Sequence, residues 1–158
     1  MSIASPYLLY LGSATNSLDI KTSRGLALFR GTDCVGEFRH ADCPLTLGLP
    51  SLTFAEAVAR GARTLVIGIA VSGGQLTGEM IADVRAAIEA GLDVAAGMHQ
   101  RLSDIVEVAE AAKRHGRLLH DVRVPPAALP IGKGKARRGH RLLTVGTDCA
   151  VGKMFTAL

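Results

Sequence analysis

Residues 53–97 read TFAEAVARGARTLVIGIAVSGGQLTGEMIADVRAAIEAGLDVAAG and contain one arrangement twice: an amphipathic segment, a glycine, then a short apolar run. The run TLVIGIAV, 64–71, is apolar without strict alternation. That pattern predicts a strand covered on both faces, as in a parallel sheet flanked by helices. Before it, Thr53 and Glu56 stand three apart, where hydroxyl and carboxylate can satisfy the free N–H groups of a helix start, and Gly61 can end that helix. A second helix is predicted from Thr77 to Ala90, since Met80, Ile81, Val84, Ala87 and Ile88 share one face, and LDVAAG, 92–97, is the strand after it. A third unit follows: a helix from Ser103-Asp104 to Gly116 burying Leu102, Ile105, Val106, Ala109 and Ala112, then a strand in RLLHDV, 117–122.

Working back toward the N-terminus, YLLYLG, 7–12, and CVGEF, 34–38, read as strands, and Asp19 to Arg30 as a helix interrupted by Gly25. Pro44 and Pro50 make the stretch between them a loop. Joined by right-handed crossovers, these elements predict an α/β fold, a Rossmann-like doubly wound parallel sheet of about five strands, with ligands outside the carboxyl ends of the strands. The expected division is a Rossmann-like domain over 1–124, a proline-rich then basic linker over 125–140, and the start of a P-loop domain over 141–158.

Composition agrees with a globular chain. The 158 residues are 48% hydrophobic and 20% charged, with 18 glycines and a mean hydropathy of +0.28, which excludes disordered, collagenous and coiled-coil classes. No apolar run reaches the roughly 18 residues that cross a bilayer, and the N-terminus lacks the basic start of a secretory signal, so a cytoplasmic protein without a membrane partner is expected. Three cysteines, an odd number, argue against a disulfide framework. Of the net +4, five positive charges lie in GKGKARRGHR, 132–141; without them the balance is −1, so no nucleic-acid partner is expected.

The apolar run RLLTVG, 141–146, predicts a strand leading into TDCAVGKM, 147–154. A strand, a glycine-bearing loop, Gly-Lys and a helix start cradle phosphates, because backbone N–H groups, the helix dipole and the lysine ammonium face one anion. Thr147, Asp148, Val151, Gly152 and Lys153 are the expected contacts. The strict G-x-x-x-x-G-K-[ST] pattern is not met: Thr147 holds the first glycine position, and Met154 offers no hydroxyl for Mg²⁺. The loop resembles the G-T-D-x-x-V-G-K-T form of dethiobiotin synthetase and related P-loop ligases. Five residues after Lys153 are too few for a stable helix, so the chain is expected to be a fragment of a longer protein.

Taken in order, YLLYLG, DIKTSRGLALFR, CVGEF, GIAVSGGQL, DVAAGMHQRLSD and GTDCAVGKM resemble the D-glutamate N-acetyltransferase-like family across essentially the whole chain. The resemblance implies a Rossmann-like N-terminal domain followed by a P-loop domain, in proteins about twice this length. It further implies acetyl transfer from acetyl-CoA to the amine of an acidic D-amino acid, with D-glutamate the prototype. A homo-oligomer acting on a small-molecule substrate is expected. An ATP-dependent ligase or kinase, with ATP at the loop, and a nucleotide-binding module are the alternatives.

The site follows from the chemistry of acyl transfer, which needs a base for the ammonium proton and donors for the thioester oxyanion. Ser72, Gly73 and Gly74 lie at the carboxyl end of the strongest strand, where backbone N–H groups can hold a carboxylate or phosphate; the alternative is a tight strand-to-helix turn. His99, closing the next strand, is the candidate base, with Arg101 as an anion anchor. Lys21 and Thr22, near a helix start, are substrate-binding candidates beside the reading of ordinary surface residues. Cys34, His40, Asp42 and Cys43 are metal-competent types, but C-x₅-H-x-D-C lacks a zinc spacing, so no metal is expected. Packing is the expected role of Cys149.

Overall fold

In the computed structural model the described residues are 3–124, 134, 138–140, 142–146 and 156–157. The chain divides into two units, Met1–Val124 and Pro125–Leu158. The first unit is built on five parallel strands: β1 (Tyr7–Gly12), β2 (Cys34–Arg39), β3 (Thr64–Ile67), β4 (Asp93–Ala96) and β5 (Leu119–Asp121). Their order in the sheet is β2-β1-β3-β4-β5, each neighbouring pair parallel. This is the doubly wound arrangement expected of the sequence. The helices α1 (Lys21–Phe29), α2 (Phe54–Ala59), α3 (Gly78–Glu89) and α4 (Val106–His115) supply the crossovers.

Strand periodicity assigns the two faces. Leu8 and Tyr10 of β1, Leu65 and Ile67 of β3, and Val94 and Ala96 of β4 join the main core with Ala57 of α2, Met80, Val84, Ala87 and Ile88 of α3, and Val108 and Ala111 of α4. Leu11 points the other way and packs with Ile20 and Cys43 beneath α1. Leu8, Leu65, Leu92 and Leu102 are fully buried. Each such leucine contributes about 1.5–3 kcal/mol relative to an exposed one. On the α1 side a cavity of about 280 Å³ lies over the sheet between Tyr7, Thr22, Leu26, Val66, Ala95 and Val122.

Local signals were obeyed at α2, where the Thr53 hydroxyl accepts from the Glu56 N–H at 3.3 Å and the Glu56 carboxylate accepts from the Thr53 N–H at 2.8 Å. Three expectations need correction. β3 stops at Ile67 instead of running to 71, because past it the backbone serves α1: the Gly68 carbonyl accepts from Ser23 N–H at 3.2 Å and Ala70 N–H donates to Asp19 O at 2.7 Å. The third helix begins at Val106, after a 3-10 turn over Leu102–Asp104. Its buried face is therefore Val108, Ala111 and Ala112, and Val106 is 69% exposed. The turn is held from a distance: Asp121, at the end of β5, accepts from Leu102 N–H at 2.6 Å and from the Ser103 hydroxyl at 2.8 Å. Asp104 provides no cap there.

In the second unit, residues 142–146 form no strand, and Leu142, Leu143 and Val145 are exposed. An apolar run becomes a strand only by pairing with a neighbour, and no pairing partner exists among the described residues. Thr147, Asp148, Val151, Gly152 and Lys153 lie outside the described residues.

Candidate active site

Strand order reverses between β1 and β3, so the chain leaves these adjacent strands toward opposite faces, and their carboxyl ends open a crevice. On one side stand the start of α1 and the loop after β3, held together by the Ser23–Gly68 and Ala70–Asp19 backbone bonds. Lys21 and Thr22 are exposed there, and Thr22 also lines the cavity over the sheet.

The Ser72–Gly74 segment forms a 3-10 turn with Gly73 at φ 78° and Gly74 at φ 66°. The Gly74 carbonyl accepts from both His99 N–H (3.0 Å) and Gln100 N–H (3.1 Å), and Gln100 Oε1 accepts from Leu76 N–H at 3.1 Å. A Cβ on Gly74 would overlap the His99 ring, so glycine is required for this close approach as well as for its positive φ. Two sequence candidates, Gly74 and His99, are thus brought together, through backbone bonds. The His99 side chain is exposed, with no hydrogen bond to orient its ring among the described residues, and Arg101 is exposed beside it. Lys21 and Thr22 belong to the other bank of the crevice.

On the α3 side lies a group that spacing alone did not reveal. His40 follows β2 and is tied to the end of β1 by its N–H bond to Gly12 O at 3.0 Å. Its Nε2 lies 2.8 Å from Asp83 Oδ2, and the same oxygen accepts from the Tyr10 hydroxyl at 2.6 Å. Tyr10 is fully buried, and the His40 side chain is 31% exposed. Tyr10 stacks on Phe38, Phe38 meets the His40 ring edge-on, and Phe38 stacks again on Phe54. Gly12 at φ 53° allows this crowding, since a Cβ there would strike the Tyr10 ring and hydroxyl. Nearby, the Ser13 hydroxyl lies 3.0 Å from Glu79 Oε1 and 3.3 Å from Asp42 Oδ1, and Glu79 Oε1 is 3.8 Å from His40 Nε2.

The electrostatics follow from this packing. Partial burial pulls the His40 pKa down, but the hydrogen bond to Asp83 and the charges of Asp83, Glu79 and Asp42 outweigh it, leaving the imidazole above its ordinary value of 6.5. Burial, reinforced by Asp83, raises the Tyr10 phenol far above its usual range, so it remains a protonated donor. The constellation is a histidine backed by a buried carboxylate, itself backed by a phenol. Such a group can accept a proton, and the carboxylate behind it stabilises the charged form. The sequence signal for it was tertiary: residues 10, 40 and 83 share no local motif.

The other metal-competent types do other work. Cys43 is buried with its thiol toward Ala14 O at 3.1 Å, and burial, foremost, raises the Cys34 thiol. No group of three His, Cys, Asp or Glu side chains converges to hold an ion among the described residues, and no helix among them is long and apolar enough to cross a membrane.

Comparison with known proteins places this architecture. A protein of Tritonibacter scottomollicae named D-glutamate N-acetyltransferase is 47% identical over 99% of this chain and 47% of its own length. A Pseudoalteromonas protein of the same name is 43% identical over 100% of this chain and 48% of its own. The chain spans about half the length of these curated relatives. In a crystal structure of a DUF1611 family protein from Anabaena variabilis, 24% identical, the same fold recurs with a TM-score of 0.68 over 82% of this chain and 40% of that one. Residues 34–125 match the "Domain of unknown function (DUF1611_N) Rossmann-like domain", and residues 130–158 match the DUF1611_C P-loop domain. A five-stranded doubly wound sheet running into a phosphate-loop sequence is therefore that of the DUF1611 family, to which this chain belongs.

Proposed function

We propose that the chain serves an N-acetyltransferase that moves an acetyl group from acetyl-CoA to the amine of an acidic D-amino acid, D-glutamate being the prototype. The observation that carries this is the identity of 43–47%, along essentially its whole length, with two proteins bearing that name. The crevice suits the acceptor, since its two banks differ in charge. Asp42 and Glu79 lie on the α3 bank and favour an ammonium, and Lys21 on the α1 bank favours a carboxylate, with Thr22 beside it. Ser72 and Gly73 offer further N–H groups and Arg101 a cation at the same sheet edge, where His99 also lies with Gly74, whose own N–H is given to Val71 O at 2.9 Å.

The donor's phosphates would be held at Thr147, Asp148, Val151, Gly152 and Lys153, where a lysine and a glycine-bearing loop match a polyanion. Binding energy spent on the nucleotide end of the donor fixes the thioester for attack. ATP at the same loop, in a ligase or kinase, is the second reading, favoured by the likeness of GTDCAVGK to P-loop ligases. Met154 counts against it by removing the Mg²⁺ hydroxyl.

The deciding assay is acetyl-CoA-dependent acetylation of D-glutamate by the protein at its native length, with L-glutamate and ATP turnover as controls, repeated with Lys153→Ala. Transfer to the D-isomer that falls in the variant is the expected result. ATP turnover without transfer would overturn the reading in favour of the ligase or kinase.

A further inference from the structure

We propose that His40, oriented by Asp83 and Tyr10, takes the proton from the amine nucleophile; the inference rests on the acyl-transfer reading above and assigns its base. Three independent features converge on this histidine. Its position is at the carboxyl ends of β1 and β2, beside the strand reversal where doubly wound sheets hold ligands. Its orientation is fixed from two sides, by Asp83 Oδ2 at 2.8 Å and by the edge of Phe38 at a centroid distance of 5.2 Å. With Nε2–H given to the carboxylate, the lone pair belongs to Nδ1. The support behind it is itself locked, because the Tyr10 hydroxyl, wholly buried, spends its one hydrogen bond on the same Asp83 oxygen.

A buried carboxylate is costly, and an apolar core residue would serve α3 packing better if stability were the only requirement. A phenol–carboxylate–imidazole relay repeats the logic by which a base is held in one tautomer and its charged form is stabilised. His99 lacks that support among the described residues: its ring is exposed, and its hydrogen bond to Gly74 is made by the backbone.

The chemistry balances. The ammonium of the acceptor gives one proton to His40 Nδ1, and the imidazolium is stabilised by Asp83. The freed amine pair forms the C–N bond to the thioester carbonyl as the C–S bond breaks, and the departing thiolate takes the second proton, which the nitrogen sheds in becoming an amide. Asp42 and Glu79, linked through Ser13, stand at the same end of the strands to receive the ammonium before transfer. Asp83 and Tyr10 act through His40 and are positioning residues.

The test uses the protein at its native length, comparing wild type, His40→Gln, His40→Asn and Asp83→Asn. Loss of the base should lower kcat by about 100-fold or more with a smaller change in KM. The wild-type kcat/KM should rise with pH along a limb set by His40, whose charge is governed by Asp83 and Glu79 on α3, Asp42 on its own loop and Tyr10 on β1. In Asp83→Asn that limb should move to lower pH, which loss of packing alone would not cause. If the wild type acetylates D-glutamate and both His40 variants keep their rate with the limb unmoved, the base assignment is overturned and the transferase reading stands. If the wild type transfers nothing, the transferase reading is overturned, and the His40 ring resonances, followed by NMR during titration with D-glutamate and a panel of amines, decide the site. A shift supports an amine seat at His40; no shift with any amine overturns it.

Discussion

Replacing Tyr10 with phenylalanine removes one hydroxyl and leaves the ring in its stack on Phe38, so the change isolates the bond to Asp83. That bond is 2.6 Å long, its donor is fully buried, and Asp83 is 9% exposed, so solvent screens it little. Hydrogen bonds to charged groups contribute about 1.5–3 kcal/mol. The lower half of that range is expected, because Asp83 keeps His40 as a second partner. At about 2 kcal/mol, with a urea slope of about 2 kcal/mol/M, the midpoint of unfolding should fall by about 1 M. Urea denaturation at pH 7, followed by far-UV circular dichroism, measures this directly. The double variant with Asp83→Asn should show a coupling of about 0.5–3 kcal/mol. A Tyr10→Phe change below about 0.5 kcal/mol, or one fully additive with Asp83→Asn, would refute the view that the phenol braces the carboxylate.

Other consequences follow from the same geometry. The His40 pKa is raised in the folded state, so the stability it contributes is complete below its ordinary value of 6.5 and is lost as pH rises through the folded value. His40→Gln should therefore destabilise the protein more near pH 5.5 than near pH 9, and an equal or reversed difference in urea titrations at the two pH values would contradict the pairing. Gly74→Ala forces a side chain onto φ 66° and into the His99 ring; it should cost at least about 1–3 kcal/mol. Amide exchange at His99 and Gln100, both bonded to Gly74 O, should speed up in that variant, and unchanged exchange would remove the proposed tie between the two loops.

The helix–glycine–strand grammar of residues 53–122 was readable because each unit carries its own period and its own punctuation. The limits of β1 at Tyr7 and Gly12 and the capping box of Thr53 and Glu56 needed no distant residue. The start of α4 is not legible locally because the residue that satisfies the turn before it is Asp121, eighteen and nineteen positions beyond Ser103 and Leu102. The apolar run outlasts β3 by four residues for a similar reason: GIAV is as apolar as TLVI, but its backbone groups are claimed by Ser23 of α1 and by Asp19 just before it. Ser72–Gly74 and His99 were placed on the correct sheet edge, since topology puts every strand end there.

The sequence by itself determined most of the elements and their parallel, doubly wound class, because periodicity and caps act over short stretches of chain and crossover handedness follows from them. Only the tertiary structure decided which histidine is braced. His40 stood in the sequence as a metal-competent residue without a usable spacing, and nothing local linked it to Tyr10 or to Asp83, forty-three residues onward. Their meeting depends on β1 and β2 lying side by side and α3 crossing the same face, which sets the partly exposed His40 against Tyr10 and Asp83, both too deeply buried to be left unpaired.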